Sequence, residues 1–134
     1  MLQEFVENLC FDLRLGSPPN KGPQKTIEFV LNPDVKIRFM ELDPGISMQA
    51  NIAPCPEKRR EDLFILLMNA NFLGQGTGGA RIGLDRQEKF LTLSLGLPYE
   101  LEYAAFKQHV EEFVNFLNYW KDRVAKFEQE ELLI

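Results

Sequence analysis

The sequence predicts an α+β domain in which helices pack mainly on one side of a five-stranded antiparallel sheet. Apolar residues alternate with polar ones within residues 26–52 and 82–97, which is typical of half-buried strands. They recur at every third or fourth position within residues 2–15 and from residue 101 onward, which is typical of amphipathic helices. A further helix is expected over residues 57–72. The predicted order is helix, three strands, helix, two strands, helix.

Length and charge limit the classes of function. A chain of 134 residues suits a single domain, residues 1–134, and buries about two-thirds of its unfolded surface without needing a metal or disulfide. The net charge of -5 disfavours nucleic acid and anionic membrane surfaces as partners. Cys10 and Cys55 are far apart, and the N-terminus lacks a basic region leading into an apolar segment. We therefore expect a cytoplasmic protein that does not span a membrane.

The first half of the chain is predicted to be a helix followed by a three-stranded meander. Gly16 ends the helix, and the proline-rich residues 17–25 form a connecting loop. Turns are expected at residues 32–34 and 43–45. The apolar faces of the three strands consist of Ile27, Phe29 and Leu31, then Val35, Ile37 and Phe39, then Ile46, Met48, Ala50 and Ile52.

The second helix carries more apolar surface than one sheet can cover. Residues 63–68 are six successive apolar side chains, so they point around the whole helix circumference. Leaving two or three of them in water forfeits about 1.5 to 3 kcal/mol each, out of the roughly 5 to 15 kcal/mol that stabilises a domain. A partner subunit would supply the missing cover. We therefore expect a homodimer whose interface centres on Leu63, Ile65, Leu66 and Met68.

A glycine-rich link, residues 74–80, joins this helix to a hairpin. Gly74, Gly76 and Gly79 match the spacing G-x-G-x-x-G, but that fingerprint has to follow a strand and open a helix, and here it follows a helix and opens a strand. The link is therefore interpreted as a flexible joint without a nucleotide. The hairpin places Leu91, Leu93, Leu95 and Leu97 on one face, opposite Thr92 and Ser94.

The last helix has a single apolar stripe, and no catalytic or metal-binding constellation accompanies it. The stripe consists of Phe106, Val110, Phe113, Leu117, Trp120, Val124 and Phe127. His109 lies at its edge without an identifiable nucleophile, and one histidine with two distant cysteines does not make a zinc site. We expect no enzymatic activity and no cofactor.

Residues 69–97 closely resemble the signature of the class I type III secretion chaperones, the Tir chaperone family. Individual residues carry the likeness in a defined order: Leu67, Asn69, Asn71, the Gly74 to Ala80 run, Gly83-Leu84-Asp85, the alternation of Leu91, Leu93 and Leu95, then Phe113 and Trp120. The order of elements also fits, so the resemblance covers nearly the whole chain. It implies a non-enzymatic bacterial chaperone that holds effector proteins before export.

The resemblance also implies which surfaces do this. The dimer would form through the second helix and the strand after the glycine link, which adds Ile82 to the interface residues. The N-terminal segment of an effector would wrap around the dimer in extended form and add a strand to the sheet. The secretion ATPase is a further implied partner. The implied effector-binding residues are Phe5, Val6, Leu9, Phe29, Ile37 and Phe39.

Three alternatives stay open at this stage. For each implied effector-binding residue, ordinary core packing is an equally good interpretation. The domain as a whole could instead bind an apolar small molecule in a cleft between sheet and helix, or it could serve as a regulatory component of the secretion apparatus.

Overall fold

The computed structural model describes residues 2–22, 25–98 and 100–132. The element order confirms the α+β fold predicted from the sequence. The elements are α1 (Leu2–Asp12), β1 (Thr26–Asn32), β2 (Val35–Leu42), β3 (Gly45–Pro54), α2 (Arg60–Asn71), a 3-10 turn (Phe72–Gly74), β4 (Arg81–Leu84), β5 (Phe90–Leu97) and α3 (Tyr103–Leu132).

The five strands form one antiparallel sheet with the order β1-β2-β3-β5-β4. The registers pair Phe29 with Ile37, Phe39 with Met48 and Ile82 with Leu93, so the apolar residues predicted to share a face do so. The order leaves β1 and β4 as the two edge strands.

The chain divides into two compact units. The first comprises Met1–Ala50 and Gly96–Glu111, and the second comprises Asn51–Leu95 and Glu112–Ile134.

The core of the first unit is built around aromatic rings. Phe106 packs against Phe5 and Phe39, with ring centroids 4.9 and 5.5 Å apart, and Phe39 contacts Phe29 at 6.0 Å. The buried face of α1, formed by Leu2, Val6, Leu9 and Cys10, belongs to the same core.

Helix α1 ends earlier than the sequence predicts. The prediction placed its end at residue 15, but the last helical residue is Asp12 and Arg14 adopts the left-handed conformation with φ 55. The Leu15 N–H then donates to the Cys10 carbonyl at 3.0 Å and the Arg14 N–H to the Phe11 carbonyl at 3.3 Å, which are the two hydrogen bonds of a Schellman motif. The helix is thus closed by its own last turn before Gly16 is reached.

The second unit has α2 and the stripe of α3 as its main apolar contributors. The described buried side chains of α2 are Leu63, Leu67 and Ala70, and those of α3 in this unit run from Phe113 to Phe127. Helix α2 begins at Arg60 and not at the predicted residue 57, because Arg59 has φ 51, which a right-handed helix does not admit. The Arg59 guanidinium instead lies 4.7 Å from the centre of the Phe127 ring.

Candidate functional site

Helix α2 is apolar on its outer side as well as its inner side. Ile65, Met68 and Phe72 recur at intervals of three and four residues and are 60%, 70% and 66% exposed. Leu73 follows in the turn with φ 55 and is 78% exposed. We call these four residues the α2 outer surface. Four large apolar side chains in water on one helix and its turn are unusual for a surface that stays uncovered.

Cavities lie on both flanks of α2 within the second unit. One, of about 500 Å³, is lined by Leu66, Asn69, Ala70, Gly76, Asn115, Phe116, Tyr119 and Trp120. The other, of about 260 Å³, is lined by Phe64, Leu67, Met68, Asn71, Ile82, Gly83, Leu84 and Leu91. Both are mainly apolar. They widen the apolar area on either side of the α2 outer surface.

The glycine link is shaped by close packing. Gly78 has φ +64, and a Cβ atom there would lie 2.3 Å from the Phe116 ring; a Cβ on Gly76 would lie 2.9 Å from the Ala70 Cα. The Trp120 indole N–H donates to the Gly76 carbonyl at 2.9 Å. Glycine is therefore favoured at Gly78 by both its positive φ and the Phe116 ring, and at Gly76 by the close approach of α2.

The five side chains predicted for a dimer interface fall into two groups. Ile65 and Met68 are exposed, and Leu66 is half-buried beside the larger cavity. Leu63 and Ile82 are buried in the core of the second unit, so their side chains are covered before any partner arrives. Sequence reasoning missed Phe72, Leu73 and Tyr119, which are exposed next to them. The continuation of the helical spacing from Ile65 to Phe72 was the available signal.

The six side chains predicted for effector binding lie mostly in the core of the first unit. Val6, Leu9, Phe29, Ile37 and Phe39 are buried, and Phe5 alone is half-exposed. Of the two open interpretations, the structure places these five in core packing. The exposed large apolar side chains on α1 and β1 themselves are Phe11, at 83%, and Val30, at 51%. Neither stood out in the sequence, because each lies off the apolar face of its element.

Polar contacts hold both ends of α1 within the first unit. The Leu2 N–H and the Lys21 ammonium donate to the Glu41 carboxylate at 3.4 and 2.8 Å. The Lys21 hydrogen bond is the main cause that holds the pKa of Glu41 below its usual range. At the other end the Tyr103 hydroxyl donates to Asp12 at 2.6 Å, which lowers the pKa of Asp12.

Among the described residues, no group of three or more His, Cys, Asp and Glu side chains could hold a metal ion. Burial raises the pKa of the Cys10 thiol, so it is not an activated nucleophile. Within the same ranges, no helix is long and apolar enough for a membrane crossing. The described residues expose apolar side chains on α2 and in the cavities beside it.

Comparisons with known proteins agree with this description. A model of the Tir chaperone protein (CesT) family matches residues 42–121, more than half of the chain. The chain is 25% identical over 122 residues to the Chlamydia pneumoniae protein CPj0713/CpB0740, covering 90% of this chain and 93% of that protein.

Two solved structures have the same fold. A chain of the HopA1-SchA chaperone-effector complex matches with a TM-score of 0.69 at 11% identity, and the match covers 90% of this chain and 93% of the matched chain. The Yersinia pestis type III secretion chaperone SycH, in complex with a stable fragment of YscM2, matches with a TM-score of 0.67 at 9% identity, covering 90% and 99%.

Proposed function

This chain belongs to the Tir chaperone protein (CesT) family, and on that premise we propose that it is a type III secretion chaperone. It binds the N-terminal region of one or more effector proteins in extended form and keeps them soluble and competent for secretion. It acts in the bacterial cytoplasm as a single domain spanning residues 1–134, without catalysis and without a cofactor, and it presents its cargo to the secretion ATPase.

The exposed apolar surface is the observation that carries this proposal. The α2 outer surface and the two cavities beside it lie in the second unit, Phe11 and Val30 are exposed in the first, and none of the described residues covers them. Leaving a large aliphatic or aromatic side chain in water forfeits about 1.5 to 3 kcal/mol. A protein that binds other chains gains this free energy on association.

We assign the α2 outer surface to a homodimer. Ile65 and Met68 were predicted for the interface, and Phe72 and Leu73 extend them along the helix axis. A twofold interface brings the same patch of each copy together, so one apolar helix face is enough to build both sides. The half-buried Leu66 would form the border of this contact.

We assign the client to the first unit. Phe11 is the most exposed large apolar side chain described, and the edge strand β1 exposes Val30. An extended client could pair its backbone with β1 and place alternate side chains against the neighbouring apolar groups. Of the residues predicted from the sequence, Phe5 is half-exposed and would contribute directly. The other five predicted residues would act only indirectly, by forming the core beneath this surface: Val6, Leu9, Phe29, Ile37 and Phe39.

Client binding is tested by purifying the tagged chain from its native bacterial cytoplasm and measuring hydrogen exchange on the complex. We expect protection along one continuous segment in the partner's N-terminal region and, on this chain, at α1 and β1. A protected compact client domain would contradict the proposal, and so would the absence of any bound partner. Phe11→Ser should reduce the recovered client, whereas Glu7→Ser, exposed one turn earlier on α1, should not.

A small apolar molecule is the second candidate ligand, and the cavity of about 500 Å³ beside Trp120 favours it. Pockets of this volume commonly bind small molecules. Native mass spectrometry of the protein from its own cytoplasm distinguishes the two functions. A bound mass of a few hundred daltons and no partner protein would support this second candidate. A partner from the secretion machine other than its ATPase, recovered without an effector, would instead support a regulatory component of that apparatus.

A further inference from the structure

The two edges of the sheet differ in how their backbone groups are used. In β4, Ile82 is paired with Leu93, while the Asp85 N–H donates to the Phe90 carbonyl at 3.1 Å in the same ladder. Backbone groups of successive residues in an antiparallel pair point alternately toward and away from the partner strand. Asp85 faces β5, and by this alternation Gly83 and Arg81 do so as well. Ala80, Ile82 and Leu84 therefore direct their N–H and C=O groups away from β5, toward the outer edge.

Asn71, the last residue of α2, occupies the outer edge at Ile82. Its Nδ2 donates to the Ile82 carbonyl at 2.8 Å, and its Oδ1 accepts from the Ile82 N–H at 2.8 Å. A single side-chain amide thus makes the two hydrogen bonds that a residue of a neighbouring strand would make.

Thr77, in the glycine link, does the same at Ala80. The Ala80 N–H donates to the Thr77 carbonyl at 3.2 Å, and the Thr77 hydroxyl donates to the Ala80 carbonyl. Thr77 is buried, so these bonds are shielded from water. Of the three outward-facing residues of this edge, only Leu84 has no described hydrogen-bond partner, and one residue is too short a template for an added strand.

The β1 edge is different. The Thr26 carbonyl accepts from the Gly22 N–H at 2.7 Å and so faces away from β2. By the same alternation, Glu28 and Val30 direct their backbone groups outward, and no described side chain bonds to them there. This edge offers at least two successive outward-facing residues for pairing.

We propose that Asn71 and Thr77 close the β4 edge, so that β1 is the sheet edge of this chain that accepts an added strand. The two side chains are specificity-determining, because they decide where a strand can pair and not how tightly. The closure follows from the hydrogen bonds alone. That the added strand is a client segment rests on the proposed function.

Amide hydrogen exchange on the unmodified protein tests the closure directly. The Ile82 amide should exchange within about tenfold of the Gly83 amide, which faces β5. An Ile82 amide that exchanges more than about a hundredfold faster than Gly83 overturns the proposal, because its hydrogen bond to Asn71 would then be too weak to exclude another strand.

Opening the edge by mutation tests its consequence. Asn71→Ala should expose the Ile82 backbone groups and cause concentration-dependent assembly beyond the size of the parent protein in sedimentation velocity. Asn69→Ala, which removes an exposed amide from the same helix, should not. Adding Leu84→Lys to Asn71→Ala should abolish the assembly, since a lysine on an edge strand opposes pairing.

A folded Asn71→Ala protein that keeps the parent size at all concentrations overturns the proposal. Assembly that persists with Leu84→Lys overturns it as well, since the new contact would then lie elsewhere. If Asn71→Ala does not fold, the exchange rates of Ile82 and Gly83 in the parent decide. None of these measurements involves a client, so the closure and the chaperone function can fail independently.

Discussion

Helices α3 and α2 use apolar residues in opposite ways. On α3 they form one stripe, and Phe106, Leu117 and Trp120 on that stripe are all buried. On α2 they surround the helix, so that Leu63 is buried while Ile65, two positions later, is 60% exposed. The apolar stripe of α3 is buried within the chain. Among the described residues, nothing covers the excess on α2, and we propose that it serves binding.

The largest effect that the comparison predicts is on stability, from the buried stripe of α3. Leu117→Ala should lower the free energy of unfolding by about 2 to 5 kcal/mol, because it removes buried methyl groups and leaves a cavity. Asn118→Ala, the exposed neighbour, should change it by less than about 0.5 kcal/mol. Urea unfolding measures both. Equal effects would mean that the stripe does not carry the core.

The second effect is on assembly, from the outer side of α2. Ile65→Asp should raise the dissociation constant of the proposed dimer by about a hundredfold or more, because association would bury a carboxylate without a partner. The circular dichroism spectrum should stay that of the parent, since Ile65 is exposed in the single chain. Asn118→Asp puts the same charge on an exposed position of α3 and serves as the control in light scattering. A parent protein that is monomeric at micromolar concentration would remove this contrast between the helices.

The same contrast explains how far the sequence could be interpreted. Only one orientation of α3 buries its apolar stripe, and the alternation in β1 and β2 fixes which side chains face inward. These elements were therefore predicted correctly. Residues 63–68 do not fix the orientation of α2 in this way, because six successive apolar residues place apolar side chains on every face of the helix. The sequence therefore predicted an uncovered surface on α2 but assigned the buried Leu63 to it and missed the exposed Phe72.

The client surface was hard to predict for a related reason. An apolar residue on the inner face of a strand, such as Phe39, has the same pattern whether it faces a core or a partner. Helix α1 packs with the same core, and its burial pattern is set by long-range contacts such as the stacking of Phe5 on Phe106. The closure of β4 by Asn71 likewise depends on a contact across eleven residues that periodicity does not reveal.

A smaller effect should come from the glycine link, which follows α2 and packs against α3. Gly78→Ala should lower the free energy of unfolding by about 2 kcal/mol, because it combines a positive φ with a clash against the Phe116 ring on α3. Gly79→Ala has a similar φ of +88 but open space around the new Cβ, so it should cost about 1 kcal/mol. The difference between the two measures the packing of α3 against the link. Two equal values would show that the conformation of the link alone matters.

The smallest effect concerns the first turn of α3, where Tyr103 supplements the apolar stripe with a polar contact. The hydrogen bond from its hydroxyl, more than the charge of Lys107, holds the pKa of Asp12 below the ordinary value of 3.8. A carboxyl whose pKa is lower in the folded state contributes stability above its unfolded pKa and loses it as the pH falls through the folded pKa. Desolvation and the same hydrogen bond raise the pKa of Tyr103 above its ordinary value of 10.0. The contribution of Tyr103 to stability is therefore present below pH 10.0 and is lost as the pH rises through its folded pKa.

Tyr103→Phe should therefore raise the pKa of Asp12 toward 3.8, which a carboxyl NMR titration can follow. The stability difference between this variant and the parent should be constant near neutral pH and shrink on the acid side of that value, as Asp12 becomes protonated in both. The change should be small because the Asp12 carboxylate is open to water. Tyr119→Phe is the matched control, since the structure describes a ring contact with Trp120 but no hydrogen bond for that tyrosine. If the Asp12 titration is the same in parent and variant, the Tyr103 hydrogen bond does not lower the pKa of Asp12 and contributes nothing to stability at this contact.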